Sequence, residues 1–197
     1  MEKDNTENKN STIYYMIGVP GSGKSYVAEQ KAKKYKISVL NSDNIRKELT
    51  GDAGDVNTFS HQEIFERVRS RAKEKIEAEE GFIWDATGIN SKFRREEIAG
   101  FKERGAKVVA ILMTTPIEIC LERNRERERV VPKEVIERMD AELKSDEHKI
   151  DTDLDFFDEI RGIDENGKES LIFERDETVR EKSNEVDAEI TSMLKIR

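Results

Sequence analysis

The octapeptide GVPGSGKS, Gly18 to Ser25, limits what this chain can become more than any other stretch. It fits the Walker A pattern G-x-x-x-x-G-K-[S/T], and it lies between the apolar run TIYYMIG and the helical run KSYVAEQKAKKY. Its glycines let backbone N–H groups curl around a phosphate, and the N-terminus of the helix that follows adds partial positive charge. Lys24 would reach the β and γ phosphates, and Ser25 would offer a hydroxyl to Mg²⁺. The stretch therefore implies a nucleoside triphosphate site. The same loop serves kinases, hydrolases and switches, so it leaves the fate of the γ-phosphate open.

Beyond the loop, strand and helix patterns alternate. The strand-like runs ISVL, FIWDAT and KVVAILMTT are separated by the helical runs QEIFERVRSRAKEKIEAEE and KFRREEIAGFKERG, and then come PIEICLERNRE and PKEVIERMDAEL. In the first of these helices Ile64, Phe65, Val68, Ala72 and Ile76 recur at helical spacing. Short continuous apolar strands alternating with helices predict an α/β, three-layer sandwich of the P-loop NTPase class, a parallel sheet covered by helices on both faces. The pattern changes near Ile163. A strand, an Asn166-Gly167 turn and a second strand precede an amphipathic stretch carrying Val179, Val186, Ile190, Met193 and Leu194. The expected organisation is a disordered 1–11, a P-loop domain over 12–163 that includes the charge-dense segment near 122–132, and a hairpin-plus-helix extension over 164–197.

Net charge bears on the partner. The chain carries −8 overall, which argues against a long track along duplex nucleic acid. Residues 1–139 nevertheless hold 26 Lys or Arg against 24 Asp or Glu, and the acidic excess belongs to the C-terminal third. A few local arginines holding an acceptor remain compatible with that balance. The single Cys120 permits no internal disulfide, no apolar run approaches the ~18 residues of a membrane span, and the polar start differs from a signal peptide. These features give the expectation of a cytoplasmic protein without membrane attachment.

Two acids carry the next step. A dedicated hydrolase would be expected to place a water-orienting Glu after the strand-end Asp, whereas FIWDATG gives Asp85 followed by Ala86. A phosphotransferase needs instead an acid near the γ-phosphate to take a hydroxyl proton, with cations for the acceptor and for the transferring group. Asp43 and Arg46, in VLNSDNIRKEL, stand at a helix start directly after a strand. Helix capping is the ordinary explanation for such an acid. In a parallel sheet, however, the loops after the strands gather on one edge, so Lys24, Asp43 and Asp85 should converge there.

In order along the chain, GVPGSGKS, NSDNIR, FIWDATGINSKFR and RNRERERVVPKEVIERM, closed by FFDEI, resemble the 5′-hydroxyl polynucleotide kinase family. The resemblance runs from about Ile13 to Arg161. It implies that Asp43 is the general base for a 5′-OH of RNA or DNA, that Arg46 holds the acceptor's neighbouring phosphate, and that Asp85 orients Arg46 or the metal waters. It further implies that Arg127 stabilises charge at transfer, with Arg123 and Arg129 as substitutes. The donor, ATP or another NTP, would be held by Pro20, Gly21, Ser22, Gly23, Lys24, Ser25, Tyr26 and Arg123, with Mg²⁺ on Ser25. Gly88 departs from the Asn that many relatives carry. Two other classes stay open: a related kinase acting on a small-molecule or tRNA hydroxyl, and a nucleotide-dependent binding module without turnover.

Several residues take ordinary readings. The acidic DTDLD, Asp151 to Asp155, is expected to be a solvated loop, His61 and His148 to cap or face solvent, and Trp84, Met113, Cys120 and Met139 to lie in the core.

Overall fold

The computed structural model describes residues 11–55 and 57–176. The stretches 1–10 and 177–197, which include the expected amphipathic terminal helix, lie outside the described residues. Six strands form one sheet: β1 (Thr12–Ile17), β2 (Ser38–Leu40), β3 (Phe82–Trp84), β4 (Lys107–Met113), β5 (Glu159–Ile163) and β6 (Glu169–Glu174). Their spatial order is β2-β3-β1-β4-β5-β6, and every neighbouring pair is parallel except β5 with β6. The register places Tyr15 of β1 beside both Trp84 and Ala110.

Alternation along β1 sorts the core into two layers. Ile13, Tyr15 and Ile17 pack with Phe82, Trp84, Val108 and Ala110 under the helices α2 (Ser42–Thr50), α3 (His61–Glu77) and α4 (Ser91–Lys102). Met16 faces the other way with Ile83, Val109 and Ile111, against Ala28 of α1 (Lys24–Tyr35). Period-two side-chain alternation thus covers both faces of the sheet, as expected from the strand and helix pattern. Beyond the C-terminal strand ends, Val19, Ile89, Cys120 and Ile136 join the loops to α5 (Ile117–Arg125) and α6 (Lys133–Lys144).

The helix starts follow local chemistry. Asn41, not Ser42 or Asp43, caps α2 by accepting from Asn44 N–H at 2.7 Å. Ser60 and Glu63 form a reciprocal capping box on α3, and Asn90 caps α4 by accepting from Lys92 and Phe93. The turn after β5 closes with Gly167 at φ 81°, and β6 returns antiparallel, so the expected hairpin continues the main sheet.

His148 caps, as expected: its Nδ1 accepts from Ser91 N–H at 3.3 Å in the first turn of α4. Two expectations are corrected. The run Asp151–Asp155 is a 3-10 helix, Ile150–Phe156, rather than a solvated loop: Asp151 and Asp155 face solvent, but Asp153 is fully buried between Arg94 and Arg95. Ser11, assigned to the tail, is buried, and its carbonyl accepts from Lys107 N–H at 2.9 Å.

Candidate active site

A cleft of about 1170 Å³ opens at the edge where β1, β2 and β3 end. Its volume slightly exceeds the ~300–1,000 Å³ of ordinary single-ligand pockets. Pro20, Gly21, Gly23, Lys24, Ser25 and Tyr26 line one end. Gly21 and Gly23 take φ 83° and 97°, the left-handed backbone that turns consecutive N–H groups inward. Gly21 is also pressed against α5, since a Cβ there would stand 2.2 Å from the Cys120 carbonyl oxygen. Overpacking and the left-handed conformation together predict that Gly21→Ala costs about 2–4 kcal/mol, measured by urea unfolding. A loss below about 0.5 kcal/mol would show that the loop has room to give.

Ser22 is buried, and its hydroxyl is one of two buried side-chain oxygens without a partner among the described residues. Its carbonyl accepts from Thr115 Oγ1 at 2.9 Å, which ties the loop to the strand β4 exit. Lys24 Nζ donates to the Val19 carbonyl at 3.0 Å, bent back over its own loop. Burial pulls the Lys24 pKa down to about 8, against the pull of the Asp85 carboxylate and with help from the Arg127 charge. A polyphosphate would raise it again by favouring the charged form.

Asp85 accepts from the Ser25 hydroxyl and from Asn41 Nδ2, both at 3.3 Å. Burial raises its carboxyl above the usual range, and Lys24 opposes that rise. Among the described residues no three His, Cys, Asp or Glu cluster to hold a metal ion. Hard oxygens from Ser25 and Asp85 fit Mg²⁺, which takes one or two protein oxygens and completes its shell with water and phosphate.

Asp43 lines the cleft in the first turn of α2, with its side chain largely exposed. Because Asn41 supplies the cap, the Asp43 carboxylate is released from capping. Its Oδ1 accepts from Arg46 Nη1 at 2.7 Å. Arg46 is buried, donates also to Ser42 Oγ at 3.3 Å, and is not among the residues that line the cleft. Lys24, Asp43 and Asp85 thus share one cleft, while Arg46 stands behind Asp43 and Asp85 is bonded to Ser25 and Asn41.

The arginine-rich segment closes the other side. Arg123, Arg127 and Arg129 all line the cleft. Arg123 Nη2 donates to the Glu165 carbonyl in the β5–β6 turn at 2.9 Å. Asn124 clasps the loop shut: its Nδ2 donates to the Val131 carbonyl at 2.8 Å, and its Oδ1 accepts from Val131 N–H at 3.1 Å. That pair of hydrogen bonds fixes the span from which Arg127 and Arg129 project, a duty that the sequence left unassigned to Asn124 within RNRERERVV.

Sequence reasoning also missed the end of the cleft between α3 and α4. Glu97 lines it, and its Oε2 accepts from the Tyr15 hydroxyl at 2.5 Å and from Trp84 Nε1 at 3.1 Å. Gly88, at φ 60°, passes so close to β1 that a Cβ would meet Tyr15 at 3.0 Å and Ile17 at 3.1 Å. No Asn fits there without displacing that floor. The Gly88 and Ile89 carbonyls accept from Arg94, which Asp153 neutralises from behind.

A phosphate-binding loop between β1 and α1, a mostly parallel sheet and convergent acids and arginines define an α/β P-loop kinase fold. Residues 13–145 match the family model described as AAA domain (AAA_33), and the chain belongs to that family. Among curated proteins it is 30% identical over 133 residues to a probable adenylyl-sulfate kinase of Bacillus subtilis, covering 62% of this chain and 64% of the relative. It is 30% identical over 130 residues to the L-seryl-tRNA(Sec) kinase of Methanococcus maripaludis, covering 64% and 50%. The match therefore spans about half to two thirds of those relatives' length. Of solved structures, a chain of the Pnkp1/Rnl/Hen1 RNA repair complex superposes with a TM-score of 0.62 at 20% identity, over 73% of this chain and 47% of that one. A chain of the PezAT toxin-antitoxin system of Streptococcus pneumoniae gives 0.61 at 15% identity, over 87% and 74%. These two likenesses support the fold. Among the described residues, no helix is long and apolar enough to cross a membrane.

Proposed function

We propose that the protein is a polynucleotide 5′-hydroxyl kinase that moves the γ-phosphate of ATP, or another NTP, to the 5′-OH end of RNA or DNA. The observation that carries this reading is the uncapped Asp43 carboxylate, braced by buried Arg46 and lining the same cleft as Lys24 and Ser25. In this mechanism Asp43 accepts the hydroxyl proton as the acceptor oxygen attacks the γ-phosphorus in line and the bond to the β-γ bridging oxygen breaks. Lys24 and Arg127 balance the charge that builds on the phosphates, and Arg123 and the Pro20–Tyr26 loop hold the donor. Ser25, with Asp85 beside it, would hold Mg²⁺, which supplies charge neutralisation on the phosphates. Arg46 fixes the Asp43 carboxylate, and reaching the acceptor's phosphate as well requires its guanidinium to come forward past that acid.

The curated relatives support a second reading. One is named for adenylyl sulfate and the other for seryl-tRNA, so a small-molecule or tRNA hydroxyl is the competing acceptor. Transfer of labelled γ-phosphate to 5′-OH RNA and DNA oligonucleotides, with adenylyl sulfate and seryl-tRNA in parallel, separates the two. Labelled oligonucleotide ends are expected, with at least a hundredfold loss in Lys24→Ala. Label on a small molecule or aminoacyl-tRNA alone would replace the proposal by the second reading. ATP binding without any transfer would leave a nucleotide-dependent binding module.

A further inference from the structure

The crossovers place α3 and α4 side by side. Each leads into a parallel strand, α3 into β3 and α4 into β4, and both have first-turn residues in the cleft, so they run back along the sheet from the cleft edge. Each presents a ridge of cleft-lining residues at helical spacing: His61, Phe65 and Arg69 on α3, and Phe93 and Glu97 on α4. At the inner end the ridges meet, with Arg69 Nη2 at 3.9 Å from Glu97 Oε1. One turn nearer the mouth the corresponding residues are both phenylalanine.

Chemistry is unevenly spread over this slot. His61 and Phe65 stack with ring centroids 4.5 Å apart, and Phe93 is 60% exposed. An exposed ring that lines a cleft is available to stack on a ligand's ring. Glu97 is held from below by Tyr15 and Trp84, both on the same Oε2, which leaves Oε1 turned to Arg69 and the cleft. Burial raises the Glu97 carboxyl above its usual range, and a hydrogen-bond donor arriving at Oε1 would oppose that rise by favouring the anion.

We infer that the slot between α3 and α4 receives the base of the acceptor's terminal nucleoside, stacked on Phe65 and Phe93 and read at its polar edge by Glu97 and Arg69. This deepens the proposed function and rests on its assignment of the cleft to an acceptor. Aromatic platforms hold bases of any sequence, while a carboxylate next to a guanidinium selects an edge with an N–H donor beside a carbonyl. The guanine edge matches best: O6 faces the cation, and the N1 and N2 hydrogens converge on the one free oxygen, Oε1. Uracil offers that oxygen a single N3 hydrogen and is the poorer fit.

Calorimetric binding decides the matter without any phosphoryl transfer. Guanosine 3′-monophosphate, uridine 3′-monophosphate and a base-free ribose phosphate are titrated into protein whose donor site is filled with a non-hydrolysable ATP analogue. Guanosine 3′-monophosphate is expected to bind at least tenfold tighter than the base-free compound. Phe93→Ala should weaken it about tenfold or more, and Glu97→Gln should collapse the guanosine-to-uridine ratio, an effect that damage to packing alone would not produce. The solvent-facing neighbour Glu96→Gln is the control and should match the native protein. Equal binding with and without the base, or an unchanged ratio in Glu97→Gln, overturns the inference. Base-dependent binding in a protein that labels no oligonucleotide would keep the slot and remove the polynucleotide kinase reading.

Discussion

Asp43→Asn is expected to lower kcat on 5′-OH oligonucleotides by about 10²–10⁴-fold while ATP binding stays within about twofold of the native protein. The change is isosteric and removes only the capacity to take a proton. Helix α2 keeps its start because Asn41 provides the cap. Arg46 loses a charged partner but keeps the Ser42 hydroxyl at 3.3 Å, so the local frame survives. Single-turnover transfer with saturating ATP, read beside calorimetric nucleotide affinity, separates chemistry from binding. A kcat within threefold of the native value would remove Asp43 from the role of base.

Asp153→Ala should lower stability by about 3–5 kcal/mol, roughly 10 °C in Tm for a domain of this size. The aspartate and Arg94 are both fully buried, and Arg95 reaches the same carboxylate. Taking away the acid leaves a guanidinium without a counter-charge in the interior, which costs far more than the pair contributes over apolar residues of equal size. Arg94 also donates to the carbonyls of Gly88, Ile89 and His148, so the loop between β3 and α4 should loosen along with the core. The double variant Arg94→Met with Asp153→Leu should recover part of the loss, because it removes the buried charge but leaves those three carbonyls without their donor. Urea unfolding checks both, and a single-variant loss under about 1 kcal/mol would contradict a buried charge.

What the sequence made visible follows from which forces are local. GVPGSGKS carries its conformation in its own glycines, and the apolar strands announce a two-sided sheet by their continuity, so fold class and phosphate loop were both legible. The cap of α2 was not resolved by the sequence: Asn41, Ser42 and Asp43 are all competent, and only the entry geometry selects Asn41. Asp153 was misread because an acidic run looks solvated until the distant Arg94 is brought against it. Glu97 was hidden in the charged run Arg94–Glu97, yet its phase gives it away. It stands one position before Ile98 and four after Phe93, on the margin of the face that buries Arg94, Ile98 and Phe101. Helical phase, rather than residue type, was the signal that could have found it.

The strand order has a consequence for how the chain is made. β1 lies at the middle of the sheet, yet Ile13 pairs with Phe82 and Val108, residues that a ribosome adds much later. Synthesis therefore delivers the central strand before either of its neighbours. An apolar segment waits unpaired until Phe82 and then Val108 have been added, and closing such long loops is slow. Newly made chains of this topology are exposed to chaperone capture in that interval, and the Thr115 hydroxyl that bonds the Ser22 carbonyl of the phosphate loop is supplied only after β4 has been made.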